Sequence, residues 1–319
     1  MEAGKSASAE WASRPERSNM LMLRIMTWIS LHLGRGAGRV VLHLIAGYFL
    51  LFASASRRAS SAYLSRVLGR RARWRDIYKH FFWFASTIHD RIYLLNRRFD
   101  LFDIRIHGEE LMRQALADGQ GAFLIGAHMG SFEALRAIGR RDTSLKVVMA
   151  MYEENARKIN AILSAISPGA TQDVIGLGHL DSMLKIHEAM QQGAVVGMLA
   201  DRGLADDSRV AVTMLGGEAR LPDGPFRMAA IMRRPVLFMV GLYLGGNRYE
   251  VRFEKLADFS ATPAGQRQAA IRQAVERYAQ LMENGCRRAP YNWFNFFSFW
   301  SAPEAGRPTT NGSPGERES

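Results

Sequence analysis

A histidine and a glutamate lie five positions apart after an apolar run in the middle of the chain. The run, residues 121–127, predicts a buried strand that ends at His128, and Glu133 follows. An imidazole at a strand end can take a proton from a substrate, and a carboxylate in contact with it can fix its tautomer and stabilise its charged form. The two residues therefore predict a proton-transfer pair.

The turn between these residues decides whether their side chains can meet. In one continuous helix a spacing of five would place them about 140° apart around the axis. Gly130 permits a tight turn, and Ser131 can cap a helix predicted over residues 131–140. The helix dipole would favour the Glu133 carboxylate in the first turn, so we expect Glu133 to reach back to His128. Ordinary hydrogen bonding at a strand end and a helix end is the alternative.

Two more charged residues follow a second apolar run. Asp201 and Arg202 come directly after residues 194–200, which also predict a buried strand. The carboxyl ends of parallel strands lie at one edge of an α/β sheet, where ligands bind. We expect Asp201 and Arg202 to converge on His128, with a local ion pair or a loop cap as the alternative.

A glycine- and proline-rich segment, residues 215–225, leads into a predicted helix. The start of a helix presents unpaired N–H groups that can bind an anion. An ordinary tight connection explains this segment equally well.

Strand and helix patterns alternate along the central chain, and Gly245-Gly246-Asn247 predicts a hairpin. We expect an α/β fold with a mixed, mainly parallel sheet flanked by helices. The further strands are predicted at 145–150, 194–200, 210–215, 236–244 and 248–254, and the further helices at 154–166, 180–191, 226–233 and 264–284.

Two apolar segments, 21–34 and 40–55, lie near the N-terminus and are bordered by arginines. The second is shorter than the roughly 20 residues of a spanning helix, but Trp28 and Tyr48 suit a membrane interface. We expect residues 19–58 to form hydrophobic anchor helices that span or lie on a membrane, with a buried helix as the alternative. Residues 1–18 and 301–319 are expected to be disordered, and residues 59–300 to form one domain.

Charge and composition limit the partners. The 319 residues carry a net charge of +12, which favours anionic partners such as acidic lipid headgroups, an acidic protein or nucleic acid. The basic, aromatic stretch at 60–106 is expected to be helical, and no nucleic-acid-binding module accompanies it, so nucleic acid is not an expected partner. The single cysteine, Cys286, excludes an internal disulfide, and the eight histidines lack metal-ligand spacing, so no metal is expected.

The His128-x4-Glu133 box resembles the H-x4-D/E box of the lysophospholipid acyltransferase superfamily. The chain is similar to the lipid A biosynthesis branch of that superfamily, the lauroyl/myristoyl-type acyltransferases. The likeness covers roughly residues 20–300 and includes the apolar N-terminus, Met151-Tyr152, Asp201-Arg202 and the closing segment 289–294.

The resemblance implies an acyltransferase domain at residues 59–300, at the cytoplasmic face of the inner membrane. It would move a fatty acyl chain from an acyl thioester, carried on acyl carrier protein or coenzyme A, to a hydroxyl of a membrane lipid acceptor. His128 would be the general base and Glu133 its orienting partner, and no cofactor beyond the thioester co-substrate is expected. The residues expected to line the acceptor pocket are Met129, Gly130, Ser131, Met151, Tyr152, Asp201 and Arg202.

Two other functions fit the same residues. A catalytically inactive protein on this fold would bind lipid without consuming an acyl thioester. A lipid hydrolase would use water in place of the lipid hydroxyl.

Overall fold

The structure is a computed structural model in which residues 17–134, 146–155, 157, 166, 174–178, 180–203 and 207–300 are described. Its helices are α1 (Arg17–Phe52), α2 (Ser54–Leu68), α3 (Trp74–Leu95), α4 (Glu109–Ala115), α5 (Leu180–Gln191), α6 (Gly224–Met232) and α7 (Arg267–Arg288). Its strands are β1 (Asp103–His107), β2 (Ala122–Gly130), β3 (Val147–Tyr152), β4 (Val174–Leu177), β5 (Val195–Leu199), β6 (Arg209–Met214), β7 (Gly217–Pro222), β8 (Pro235–Tyr243) and β9 (Arg248–Asp258).

Seven of these strands form one sheet in the order β1-β9-β8-β2-β5-β3-β4. Neighbouring strands are parallel except β8 and β9, which form the hairpin predicted from the Gly-Gly-Asn turn. Strands β6 and β7 make a separate antiparallel pair. The predicted α/β fold, with a mixed, mostly parallel sheet flanked by helices, is confirmed.

The central strand β2 is buried on both faces, as its apolar sequence requires. Phe123 and Ile125 pack into one hydrophobic cluster, whereas Leu124, between them, packs into a second cluster. Because side chains alternate across a strand, these clusters lie on opposite faces of the sheet. The core therefore holds the carboxyl end of β2 firmly from both sides.

The structure corrects two predictions of local structure. The stretch 60–106 was predicted to be helical, but residues 103–107 form the edge strand β1, which pairs with β9. Residues 217–222, within the predicted glycine-rich segment, form β7. Leu215 and Gly216, with φ of 49° and 70°, make the tight turn between β6 and β7. Left-handed conformations at both central positions match the twist of a two-residue hairpin.

The two apolar N-terminal segments form two helical parts of α1, which meet at Gly34, where the backbone is not helical (φ 81°, ψ 171°). By length and composition, the stretch Thr27–Phe52, which includes this bend, could cross a membrane. Much of this surface is uncovered, since Leu44 is 73% and Phe52 71% exposed. Such a surface is typical of a helix that contacts lipid.

Helix α1 is joined to α3 by polar contacts. The Arg35 guanidinium donates to the buried Asp90 carboxylate over 2.7 Å. The Ser30 hydroxyl forms a hydrogen bond of 2.9 Å with His89 Nε2. The Ser30 carbonyl accepts a hydrogen bond of 2.9 Å from the Tyr93 hydroxyl. These contacts fix the apolar helix against the rest of the fold.

Some predicted segments lie largely outside the described residues. They are the ends expected to be disordered, residues 1–18 and 301–319, and the helices expected at 131–140 and 154–166. Of the N-terminal end, residues 17 and 18 are described and begin α1. Of the first of these helices, residues 132–134 form a 3-10 turn.

Candidate active site

Two neighbouring parallel strands bring His128 and Asp201 together. His128 lies near the carboxyl end of β2, and Asp201 follows β5. The His128 Nδ1 atom lies 2.8 Å from Asp201 Oδ1, and the His128 backbone N–H donates to the same oxygen over 3.2 Å. Because an ionised carboxylate only accepts hydrogen bonds, Nδ1 is the donor in this contact, and in the neutral imidazole Nε2 then keeps its lone pair. The predicted convergence of these strand ends is present in the structure.

The Asp201 carboxylate is buried, with 3% of the residue exposed. Its Oδ2 accepts a hydrogen bond of 3.1 Å from the Trp293 indole and lies 3.8 Å from Arg202 Nε. Burial by itself would raise the pKa of Asp201, but His128, the Arg202 charge and the indole N–H together hold it well below its ordinary value. Asp201 is therefore ionised at neutral pH and can stabilise a positive charge on the imidazole.

The other acidic candidate, Glu133, contacts different residues. Its Oε1 forms an ion pair of 2.7 Å with Arg91 Nε, and its Oε2 accepts a hydrogen bond of 3.3 Å from Ser131. No hydrogen bond or ion pair joins Glu133 to His128 among the described residues. The predicted contact between them is therefore wrong for this structure, although their catalytic roles stay predictions.

The backbone explains why Glu133 turns away. Gly130 has a φ of 64° and lies so close to Gly241 that a Cβ atom would overlap the Gly241 carbonyl. The next N–H group, of Ser131, donates to this carbonyl over 2.7 Å. Since residues 132–134 then form a 3-10 turn and not the expected first turn of an α-helix, the Glu133 carboxylate points toward α3.

The C-terminal segment closes over the pair. The Phe294 N–H donates to the His128 carbonyl over 2.9 Å, and the Arg202 side chain donates to the Phe294 carbonyl over 2.8 Å. His80 lies behind this segment and donates to the Trp293 carbonyl over 2.9 Å. Burial lowers the pKa of His80 to about 4, so this imidazole is neutral and serves as a structural hydrogen-bonding group.

A cavity of about 950 Å³ opens at His128. Its lining is rich in aromatic and arginine side chains, so it combines apolar walls with positive charge. The aromatic residues are Phe49, Phe84, Phe132, Phe294, Phe296, Phe297, Phe299 and Trp300, and the charged ones are Arg58, Arg66, Arg91, Arg202 and Glu133. Such a lining suits an amphiphile with a hydrocarbon chain and an anionic group.

The cavity separates the predicted pocket residues into two groups. Met129, Gly130, Ser131 and Arg202 line it, whereas Asp201, Met151 and Tyr152 are not among the described residues of the lining. Asp201 instead binds the inner nitrogen of His128. The Tyr152 hydroxyl donates to Asp207 over 3.0 Å, and burial together with the Asp207 charge raises the pKa of Tyr152 to about 12.

Sequence reasoning missed two contributors to the site. Arg91 lies inside α3, and nothing near it in the sequence relates it to the His128 box. Trp293 belongs to the closing segment that carried the family resemblance, but its bond to Asp201 joins positions 92 residues apart. Among the described residues, no group of three or more His, Cys, Asp and Glu side chains could hold a metal ion.

Comparison with known protein families identifies the family of the chain. The family model for bacterial lipid A biosynthesis acyltransferase matches residues 12–301, which include α1, the sheet, the His128–Asp201 pair and the closing segment. No curated protein sequence matches the chain. The resemblance inferred from the sequence is confirmed: the chain belongs to the bacterial lipid A biosynthesis acyltransferase family and is an acyltransferase.

Proposed function

We propose that the protein transfers a fatty acyl chain from an acyl thioester, on acyl carrier protein or coenzyme A, to a hydroxyl of a lipid acceptor. His128 acts as the general base. One observation carries this proposal: the His128–Asp201 pair opens into a cavity with aromatic walls and arginine side chains. Membership of the family indicates the acyltransferase activity. The aromatic and arginine lining of the cavity supports substrates that are lipids.

In the proposed reaction, the Nε2 atom of His128 takes the proton of the acceptor hydroxyl while the hydroxyl oxygen bonds to the thioester carbonyl carbon. The tetrahedral intermediate then expels the sulfur, and the imidazolium returns the proton to the leaving thiolate. Asp201 stabilises the imidazolium in between. A positioned base of this kind contributes roughly 10²–10⁴-fold to the rate.

The negative oxygen of the intermediate needs a donor or a positive charge. The backbone N–H groups of Gly130 and Ser131 are already bonded, to the Asn292 and Gly241 carbonyls. The Arg202 guanidinium lines the cavity, and its buried Nε has no hydrogen-bond partner among the described residues. We assign the stabilisation of the oxyanion to Arg202.

The proposed location is the cytoplasmic face of the inner membrane. The exposed apolar surface of α1 supports attachment to lipid, and the net charge of +12 favours anionic headgroups and an acidic acyl carrier protein. The acceptor contacts are proposed for Met129, Gly130, Ser131 and Arg202, because these residues line the cavity. Among the described residues, no contact of Met151 or Tyr152 supports that role.

The test uses the full chain in detergent with acyl-acyl carrier protein, acyl-coenzyme A and bacterial membrane lipid. Mass spectrometry should detect a new acyl ester in the lipid, formed by the wild type and by the His187→Ala control, whose histidine is exposed on α5. His128→Ala should form none while keeping its fold. Retained transfer by His128→Ala would reject the mechanism. Release of free fatty acid in place of an ester would identify a hydrolase. Lipid binding without consumption of the thioester would identify an inactive binding protein.

A further inference from the structure

Both oxygens of the Glu133 carboxylate are engaged. Oε1 pairs with Arg91 Nε at 2.7 Å, and Oε2 accepts the Ser131 hydroxyl at 3.3 Å. The glutamate side chain is only 11% exposed, so these contacts are partly shielded from water. The acidic residue of the box therefore fixes the position of a guanidinium and not that of the imidazole.

Arg91 keeps hydrogen-bond donors that no group of the described residues uses. A guanidinium has five N–H groups in a planar fork, which matches the oxygens of a phosphate. The Nε atom is buried against Glu133, and neither Nη atom forms a hydrogen bond with another described residue. The side chain is 20% exposed and lines the same cavity as His128. The free face of the guanidinium is thus available to a ligand in that cavity.

The charges around the cavity favour an anion. Four arginines and a single glutamate line it among the described residues. Arg202 has Asp201 as its partner and Arg91 has Glu133, but Arg58 and Arg66 on α2 form no ion pair with a described acidic side chain. Since the excess charge lies in a partly enclosed space, it attracts an anion more strongly than the same charge in open solvent.

We propose that the cavity contains a phosphate-binding site centred on Arg91, and that Glu133 is the positioning residue that holds the Arg91 guanidinium there. The phosphate belongs to one of the two substrates, either the pantetheine arm of the donor or the headgroup of the acceptor. This inference deepens the proposed function and rests on it for the identity of the substrates. The binding site itself can be tested without turnover.

Equilibrium binding is measured on the full chain in nonionic detergent, in a His128→Ala background that cannot react. Hexyl phosphate and hexanol serve as probes because they differ only in the charged group. We expect hexyl phosphate to bind more tightly than hexanol, and Arg91→Gln to weaken it by roughly tenfold while leaving hexanol unchanged. Arg91→Lys should keep part of the preference, and Glu133→Gln should lose part of it.

The matched control is Arg75→Gln, which removes an exposed arginine of the same helix outside the cavity lining. It should bind hexyl phosphate as the background protein does. An unchanged affinity in Arg91→Gln, or an equal loss in Arg75→Gln, overturns the proposal. Because no acyl transfer is needed, these outcomes are separate from a failure of the proposed function.

Turnover distinguishes the two sources of phosphate. Acyl-phosphopantetheine and acyl-pantetheine are compared as donors with wild type and Arg91→Gln. A preference for the phosphorylated donor that Arg91→Gln abolishes assigns the site to the donor. A higher KM for the lipid acceptor, equal with both donors, assigns it to the acceptor, and no change in either KM overturns the proposal.

The role of Glu133 has its own readout. Since Glu133 forms no hydrogen bond or ion pair with His128, Glu133→Gln should raise the same KM as Arg91→Gln and leave the pH profile of kcat as in the wild type. If Glu133→Gln instead changes the pH profile of kcat as Asp201→Asn does, Glu133 acts on the His128 imidazole. That result would contradict the assignment of Glu133 to Arg91.

Discussion

Trp293 donates its indole N–H to Asp201 Oδ2 over 3.1 Å, and both residues are buried. The opposite oxygen of this carboxylate binds His128. A residue near the end of the described chain therefore fixes the carboxylate that orients the imidazole of β2. The closing segment is in this way part of the His128–Asp201 site as well as of the cavity wall.

Replacing Asp201 should impair the chemical step. In Asp201→Asn the amide cannot act as a charged acceptor for Nδ1, so the imidazole loses its fixed tautomer and its stabilising charge. We expect kcat to fall by roughly 10²–10⁴-fold with little change in KM. Steady-state thioester consumption measures the effect. The Asp100→Asn control, at an exposed site, should retain wild-type kcat. A wild-type kcat in Asp201→Asn would show that the Asp201 carboxylate is not needed for the reaction.

Trp293→Phe should affect both stability and rate. The substitution removes the hydrogen bond to a buried carboxylate and leaves a small cavity, at a cost of about 2–4 kcal/mol in the free energy of unfolding. We also expect a lower kcat than in the wild type, but a smaller loss than with Asp201→Asn. Chemical denaturation and kinetics report the two effects. The control is Trp74→Phe, at a tryptophan that is 59% exposed, and it should change neither the free energy of unfolding nor kcat strongly.

The stability of the protein should decrease in mild acid because of His80. Burial lowers its pKa from 6.5 to about 4 in the folded state. Between these values the unfolded chain binds a proton at His80 that the folded protein does not. The contribution of His80 to the free energy of unfolding is therefore complete above pH 6.5 and is lost as the pH falls toward 4. This histidine contributes up to about 1.4 kcal/mol per pH unit.

Denaturation of the wild type and His80→Gln at pH 7 and pH 5 measures this contribution. The variant should have a shallower pH dependence, whatever its stability at pH 7. The exposed His187→Gln serves as the control and should keep the wild-type slope. Identical slopes in all three proteins would show that His80 is not the group responsible.

Gly130→Ala should be far more damaging than Gly216→Ala. Both glycines have a positive φ, 64° and 70°, but a Cβ at Gly130 would overlap the Gly241 carbonyl whereas Gly216 has open space. Gly216→Ala therefore carries only the conformational cost of about 1 kcal/mol, and Gly130→Ala adds the displacement of β8. Thermal or chemical denaturation compares them directly. Equal losses would mean that the close approach of the two strands is not needed.

The sequence predicted those parts of the fold and site that depend on local pattern. The apolar run before His128 predicted β2, and a Gly-Gly-Asn turn predicted the β8–β9 hairpin. Asp201 was expected near His128 because parallel strands end at one edge. Edge strand β1 was missed because its side chains are largely exposed and lack an apolar run. The Arg91–Glu133 pair joins residues 42 positions apart, and no local spacing predicts which distant cation a carboxylate meets.

Three successive residues of α3 have different partners. His89 and Asp90 hold α1 through Ser30 and Arg35, and Arg91 holds Glu133 beside the strand end. Helix α3 therefore connects α1 to the carboxyl end of β2 through contacts at three consecutive residues. If α1 lies in a bilayer, we expect these contacts to fix the distance of His128 from the membrane surface.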